Sequence, residues 1–280
     1  NKRGVNLPNF PVLIEPENKT NTMMYVLVGM LEQEERLFFM SGNNNQDANS
    51  RPKDLAVSLN IYSFNGSLVR KPILFGGSGY FVQFGSYASG DVNDDGKKEI
   101  ILSMTVVDYD LYAANKFDPK AYNDFVYIFD SDGNLLSSSK YLEGYIAQNV
   151  ILGKVNGKVA IILGSTDSWA TTNDGSKIIA QDGLGNKIFE TDTKPYERVG
   201  DLLSGDVDGD TQNEIIVSFS PIWNGQSGFY ILNGAGIAER KIEVPTTGYS
   251  DFIQSPMITD FDNDGVTDLV YQTSHITKDF

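Results

Sequence analysis

"SGDVNDDGKKEIILS", residues 89–103, crowds Asp91, Asn93, Asp94, Asp95 and Glu99 into nine positions and then runs directly into apolar residues that a folded chain must bury. The same frame returns as "SGDVDGDTQNEIIVS" at 204–218 and "ITDFDNDGVTDLVYQ" at 258–272, and without its acids as "LGKVNGKVAIILGS" at 152–165. Aligning Asp91, Lys154, Asp206 and Asp260 gives spacings of 63, 52 and 54 residues. A weaker copy, "VGMLEQEERLFFMS" at 28–41, lies 61 residues upstream at Met30. Self-similarity at this period is the mark of a repeat architecture.

A second feature follows the frame in each of the first four units: "LNIYSFNGSLV", "FVYIFDSDGNLL", "KIIAQDGLGNKIF" and "GFYILNGAGIAERKI". Each is an alternating apolar run, a turn containing Gly and a second run, which predicts a β-hairpin. One unit therefore predicts four strands, two flanking the acidic loop and two in the outer hairpin. No segment combines helical periodicity with strong capping residues. Four-stranded antiparallel units repeating every 50 to 60 residues predict an all-β chain folded as a β-propeller. The predicted blades fall at about 23–75, 80–140, 144–192, 197–245 and 250–280 of a single domain spanning 1–280, with 1–22 as a closing strand. Five such units make either a closed five-bladed ring or part of a seven-bladed one. In the closed form, Phe10–Glu15 is expected to pair with the strand near Asp268–Thr273.

The acidic loops carry chemistry. Positions 1, 3, 5 and 9 are Asp91, Asn93, Asp95 and Glu99 in one copy, Asp206, Asp208, Asp210 and Glu214 in the next, and Asp260, Asp262, Asp264 and Asp268 in the third. Alternate side chains of a tight loop converge, and position 7 (Lys97, Gln212 or Val266) adds a backbone carbonyl. Such an all-oxygen cage suits a hard cation with six to eight ligands, which points to Ca²⁺ at about three sites. Mg²⁺ prefers a small octahedron, and zinc prefers the His and Cys of which this chain has one and none. An EF-hand would close with Glu at position 12 between helices, whereas these loops close at position 9 and enter β-branched strands. The third unit joins the same strands with Asn156-Gly157, a two-residue hairpin turn that needs no metal. Asp130-Ser131-Asp132-Gly133 lacks an acid at position 9 and is expected to be a turn.

Composition limits the remaining functions. Net charge is −15, which repels nucleic-acid backbones and anionic lipid surfaces. The longest apolar run, Met23–Leu31, is too short to span a membrane. The chain begins at Asn1 rather than Met, so its N-terminus is expected to come from processing or from the choice of segment, with any signal peptide or anchor out of view. His275 stands alone, which leaves no basis for a Ser-His-Asp triad or a multi-His metal site.

"FGSYASGDVNDDGKKEIILS", Phe84–Ser103, resembles the FG-GAP and VCBS-type repeat of the integrin α-subunit propeller and its prokaryotic relatives. It has the Phe-Gly pair, a run of small residues, the D-x-D/N-x-D-G-x-x-D/E loop and a following strand. The fourth unit keeps Gly200 and ends in Ser-Pro where the family has Ala-Pro, but Thr211 replaces the loop Gly; the fifth keeps the loop without Phe-Gly. The resemblance implies calcium hairpins on one face and ligand binding on the opposite one.

That opposite face carries the long second-to-third connections, expected near 41–57, 104–123, 165–177 and 219–228, with Tyr109, Trp169 and Trp223 as candidate ligand contacts for sugar faces or a protein hot spot. No catalytic residues are assigned. The expected function is an extracellular, secreted or cell-surface module, with the periplasm as a variant location, of a prokaryote, for adhesion to or recognition of protein or glycan. The alternative is a polysaccharide-active glycoside hydrolase or lyase using carboxylates such as Asp108, Asp110, Glu143 and Asp167.

Overall fold

The computed structural model describes residues 22–31, 35–45, 56–70, 73–76, 79–116, 118–167, 175–221, 226–244, 250–263 and 267–276. Their strands form a β-propeller-type array. The first sheet holds β1 (Thr22–Leu31), β2 (Arg36–Asn45), β3 (Ala56–Ser63) and β4 (Ile73–Gly76). The second holds β5 (Tyr80–Gly90), β6 (Glu99–Asp108), β7 (Tyr122–Phe129) and β8 (Leu135–Glu143). The third holds β9 (Tyr145–Val155), β10 (Lys158–Asp167), β11 (Lys177–Gln181) and β12 (Lys187–Asp192). The fourth holds β13 (Glu197–Gly205), β14 (Glu214–Pro221), β15 (Gly228–Leu232) and β16 (Ala238–Glu243). The fifth pairs β17 (Ser250–Thr259) with β18 (Asp268–Ile276) among the described residues. Every pairing is antiparallel between consecutive strands. The segment Phe10–Glu15, expected to close the ring, lies outside the described residues.

Within each unit, burial follows strand position. The second strands, such as β6 and β14, are buried on both faces and carry continuous β-branched runs, Glu99-Ile100-Ile101 and Glu214-Ile215-Ile216. The first strands β5, β9, β13 and β17 neighbour one another in that order. The last strands β8, β12 and β16 are largely exposed and rich in polar residues, the pattern that blunts a sheet edge.

The apolar core lies between sheets, in four seams. Leu31 and Met40 of the first sheet meet Ile100, Leu102 and Met104 of the second. Val92 and Ile101 meet Val150, Ile161 and Leu163 of the third. Val155 and Ile162 meet Val199, Leu202 and Ile215 of the fourth, and Ile216 meets Ile253 of the fifth. Alternation along each second strand divides its side chains between the two seams it borders, as the pleat requires.

Two local expectations need correction. The second strands run past the starts of the predicted connections, to Asn45, Asp108, Asp167 and Pro221, because their ladder with the first strand continues beyond Ser41, Ser103, Ser165 and Ser218, through polar residues in the first and third sheets. The connection after β6 also contains a helix, α1 (Tyr109–Ala114), and a 3₁₀ turn at Pro119–Ala121. Asp108 caps α1 by accepting from the backbone N–H groups of Asp110 and Leu111 at 3.0 and 3.2 Å. Six residues are too few to show helical periodicity in sequence.

Candidate metal centres

Each acidic loop joins the first strand of a sheet to the second, where the strand pairs Gly90–Glu99, Gly205–Glu214 and Thr259–Asp268 close the ladder. The first two loops share one internal bonding scheme. Position 1 accepts backbone N–H groups from positions 4 and 6: Asp91 from Asp94 (2.7 Å) and Gly96 (2.8 Å), Asp206 from Gly209 (2.7 Å) and Thr211 (3.0 Å). Position 3 accepts from position 5, as Asn93 from Asp95 (3.0 Å) and Asp208 from Asp210 (3.1 Å). Position 5 accepts from position 7, as Asp95 from Lys97 (2.8 Å) and Asp210 from Gln212 (2.7 Å). These bonds turn the loop inward on itself, and its positions 4 and 6 take left-handed φ values: 66° at Asp94, 83° at Gly96 and Gly209, and 74° at Thr211.

Position 9 behaves alike in all three copies. One carboxylate oxygen of Glu99, Glu214 and Asp268 accepts the position 2 N–H, of Val92, Val207 and Phe261 respectively, at 2.9 Å each. In the first loop Oε1 of Glu99 also accepts from the Asn93 amide at 3.4 Å.

Carboxylates gather accordingly. One oxygen each from Asp206, Asp208 and Asp210 lies within 4.8 Å of the others, and the same holds for Asp260, Asp262 and Asp268. In the first loop an Asn supplies position 3, so its acids are Asp91, Asp95 and the buried Glu99. Burial, then the charges of Asp208, Asp210 and Asp206, push the Glu214 carboxyl above its usual range. A hard divalent cation would relieve that repulsion, and the oxygen-only donor set fits calcium. Asp264 and Val266 lie outside the described residues. Asp130 is a turn residue, as expected: its carboxylate accepts from Asp132, Asn134 and the Asn134 amide at 2.7 to 3.0 Å.

Opposite the acidic loops, Tyr109 begins α1 and packs, partly buried, against the cluster of Phe81, Val107, Ala121 and Tyr122. Trp169 and Trp223 lie outside the described residues. Of the carboxylates considered for catalysis, Asp108 caps α1 and Glu143 pairs with Lys140 at 2.5 Å, Asp110 is exposed, and Asp167 is buried at the end of β10.

Two buried polar clusters were not visible in the sequence. Glu197, at the start of β13, accepts from Lys241 (2.8 Å), from the Tyr230 hydroxyl (2.6 Å) and from the Lys194 backbone (3.1 Å). Burial, then the Glu197 carboxylate, push Tyr230 up to about 12. The Lys241 ammonium also sits 4.4 Å from the Phe219 ring centre. The second cluster spans the seam between the second and third sheets. Asp124 Oδ1 accepts from Thr105 (2.7 Å) and from the Ala147 backbone (3.1 Å), while Tyr141 bridges Ser103 and Ser165. Asp124 Oδ2 has no hydrogen-bond partner, and burial pushes the carboxyl up to about 7 against the opposing bonds from Thr105, Ser165 and Ala147. A sequence offers no signal for either cluster beyond polar residues inside predicted strands.

No family model matches the chain, and no curated protein does. Among solved structures it is similar to the Bacillus licheniformis rhamnogalacturonan lyase PL11, at 12% identity over 91% of this chain and 59% of that one, with a TM-score of 0.45. It is also similar to a β-fructofuranosidase from Schwanniomyces occidentalis complexed with fructosyl-erythritol (8% identity, 93% and 62% coverage, TM-score 0.48). A protein of unknown function from Bacteroides caccae aligns at 10% identity over 89% of this chain and 71% of that one, with a TM-score of 0.45. The chain thus spans less than two thirds of the lyase and of the fructofuranosidase, and nothing about ligand or activity follows from likeness at this level. No helix among the described residues is long and apolar enough to cross a membrane.

Proposed function

We propose that this chain is a calcium-stabilised β-propeller, built of FG-GAP and VCBS-type repeats, that serves as an extracellular recognition module of a prokaryote for protein or glycan ligands. The observation that carries the reading is the shared construction of the three loops. Each commits one oxygen of position 9 to the loop backbone, and in the loops at 206 and 260 three carboxylates lie within reach of one another.

Asp91, Asn93, Asp95 and Glu99 would hold one ion, Asp206, Asp208, Asp210 and Glu214 a second, and Asp260, Asp262, Asp264 and Asp268 a third, with the carbonyls of Lys97, Gln212 and Val266 completing each set. When bound, each ion neutralises its carboxylates and fixes the turn between the two strands it joins. Three ions bring the formal charge from −15 to about −9. Weak loop sites of this kind fill at extracellular rather than cytosolic calcium levels. Ligand contacts are assigned to the opposite face, with Tyr109, Trp169 and Trp223 as the aromatic contacts.

Two measurements test this reading. Calcium raises the melting temperature of the chain and chelation lowers it, with Asp206→Ala and Asp260→Ala each removing part of the shift. Immobilised polysaccharides and surface proteins are then screened for retention of the chain. Retention without release of reducing ends supports recognition, whereas turnover of a polysaccharide would replace it with the hydrolase or lyase alternative. Unchanged melting after confirmed metal removal would overturn the calcium role.

A further inference from the structure

The outermost strand of the first sheet, β4, is four residues long, against nine for β8 and six each for β12 and β16. Fewer side chains therefore reach its seam from the outer edge. In the next seam β8 contributes Tyr141, which bridges Ser103 and Ser165, and in the one after it β12 contributes Phe189. In the first seam β4 contributes Phe75, and beside it a cleft of about 570 Å³ lies between the outer strands of the first and second sheets.

The floor of the cleft is an aromatic ladder on β7. Tyr127 stacks between Phe125 and Phe129 at ring-centre distances of 5.9 and 6.5 Å, and Phe75 meets it edge-on at 5.2 Å. Ile73, Val82 and Val106 add apolar walls. Phe129 is 2% and Val82 8% exposed at the bottom, whereas Leu74, Tyr80 and Leu135 at the mouth are 53%, 45% and 54% exposed. A concave, mostly apolar lining of this volume is the form of a small-molecule site.

Polar side chains in the lining are few, and one of them is a cation. Arg70 donates from Nη1 to the Gly133 carbonyl and, at 3.2 Å, to Oδ1 of Asn134. Asn134 is thereby used up, because its amide donates to Asp130 at 2.7 Å. Asp130 is in turn committed to the backbone N–H groups of Asp132 and Asn134. One guanidinium nitrogen is thus anchored to the turn, while Nη2 and Nε of Arg70 meet no acceptor among the described residues. Arg36 of the same sheet is paired with Asp132 at 2.9 Å, but Arg70 has no carboxylate partner among the described residues, in a chain of net charge −15. A guanidinium held by one nitrogen and open at the others matches a carboxylate.

The ligand must therefore be anionic at one end and apolar over the rest. A sugar or a peptide carries hydroxyls or amides along its length, and beyond Arg70 the free polar side chains of the lining are the phenols of Tyr80 and Tyr127. Burying such groups without partners is costly, whereas a hydrocarbon chain is not penalised.

We propose that the cleft between β4 and β7 is a binding site for an aliphatic monocarboxylate, with the carboxylate on Arg70 at the mouth and the chain lying over Tyr127 and Phe129. The inference does not depend on calcium occupancy or on the recognition role.

Titration calorimetry of the full chain with hexanoate, octanoate, 1-octanol and octylammonium, each below its aggregation limit, tests it. One saturable site is expected, with octanoate binding about fifteenfold more tightly than hexanoate, the gain from two buried methylenes. Octanol and octylammonium should bind at least about tenfold more weakly than octanoate, since neither engages the guanidinium. Arg70→Met should bring octanoate down to the affinity of octanol, Tyr127→Ala should weaken both alike, and Leu184→Asp, on an exposed turn of the third sheet, should change neither. Denaturant unfolding checks that each variant folds. Should Arg70→Met fail to fold, Leu135→Asp at the exposed mouth carries the test, because a like charge there should weaken octanoate and leave octanol less affected. Absence of saturable octanoate binding overturns the proposal, as does octanoate binding no tighter than octanol or unmoved by the loss of Arg70.

Discussion

Replacing Asp124 with Asn is expected to invert its effect on stability between acid and alkaline pH. The carboxyl is fully buried between the second and third sheets, and its folded value of about 7 lies above the ordinary 3.8. A group whose folded value is raised binds its proton more tightly in the native state. The stability it contributes is therefore complete below about pH 3.8, declines as pH rises, and is lost once pH passes about 7. A rise of about three pKa units at 1.36 kcal/mol each makes that loss about 4 kcal/mol. Asn keeps the shape and an oxygen for Thr105 and Ala147 but cannot ionise. Its amide N–H groups would occupy the place of Oδ2, which lacks a partner, at a cost of about 1–3 kcal/mol. The variant should therefore be more stable than the parent by about 1–3 kcal/mol at pH 8 and less stable by a similar amount at pH 4. Denaturant unfolding across that range, with calcium held in excess for both proteins, gives the difference curve directly. Parallel curves, or a difference that grows toward acid in favour of Asn, would refute the assignment of the buried charge.

Three further outcomes follow from local geometry. Thr211 occupies a left-handed conformation at loop position 6, where the first loop has Gly96, so Thr211→Gly should stabilise the chain by about 1 kcal/mol in chemical denaturation. Gly183 lies where a Cβ would come within 2.1 Å of the Val92 carbonyl oxygen, so Gly183→Ala must displace the backbone of the first acidic loop; it should lower both stability, by about 2 kcal/mol, and, on the proposed calcium reading, calcium affinity, as read by calorimetry. Lys241→Met leaves the Glu197 carboxylate buried without its ammonium partner and should destabilise by about 3 kcal/mol, with a partial recovery when Glu197 is changed to Gln in the same chain.

The sheets were legible because each unit alternates at period two and repeats the same frame, so one well-defined copy at 89–103 fixes the others by alignment. The acidic loops were legible for a related reason: their acids are two residues apart in one loop, and no long-range fold is needed to bring them near one another. The third unit, where Asn156-Gly157 replaces the acids, shows that the joint closes without an acidic loop. What stayed hidden is long-range. Asp124 meets Ala147 across a seam, and Glu197 meets Lys241 44 residues away; nothing local in either sequence predicts the partner. The short helix at Tyr109–Ala114 was missed because it rests on one cap, Asp108, and on packing of Tyr109 and Tyr112 against Phe81 and Tyr122 rather than on periodicity.

Equilibrium calcium binding by the intact chain, measured by calorimetry after exhaustive removal of metal, bears most directly on the central claim. About three ions per chain are predicted, falling to about two in Asp206→Ala and again in Asp260→Ala, and each filled site adds about 2.7 kcal/mol at a hundredfold excess over its dissociation constant. A chain that binds no calcium at extracellular concentrations, or whose stoichiometry is unmoved by both substitutions, would contradict the assignment of the three loops as metal centres.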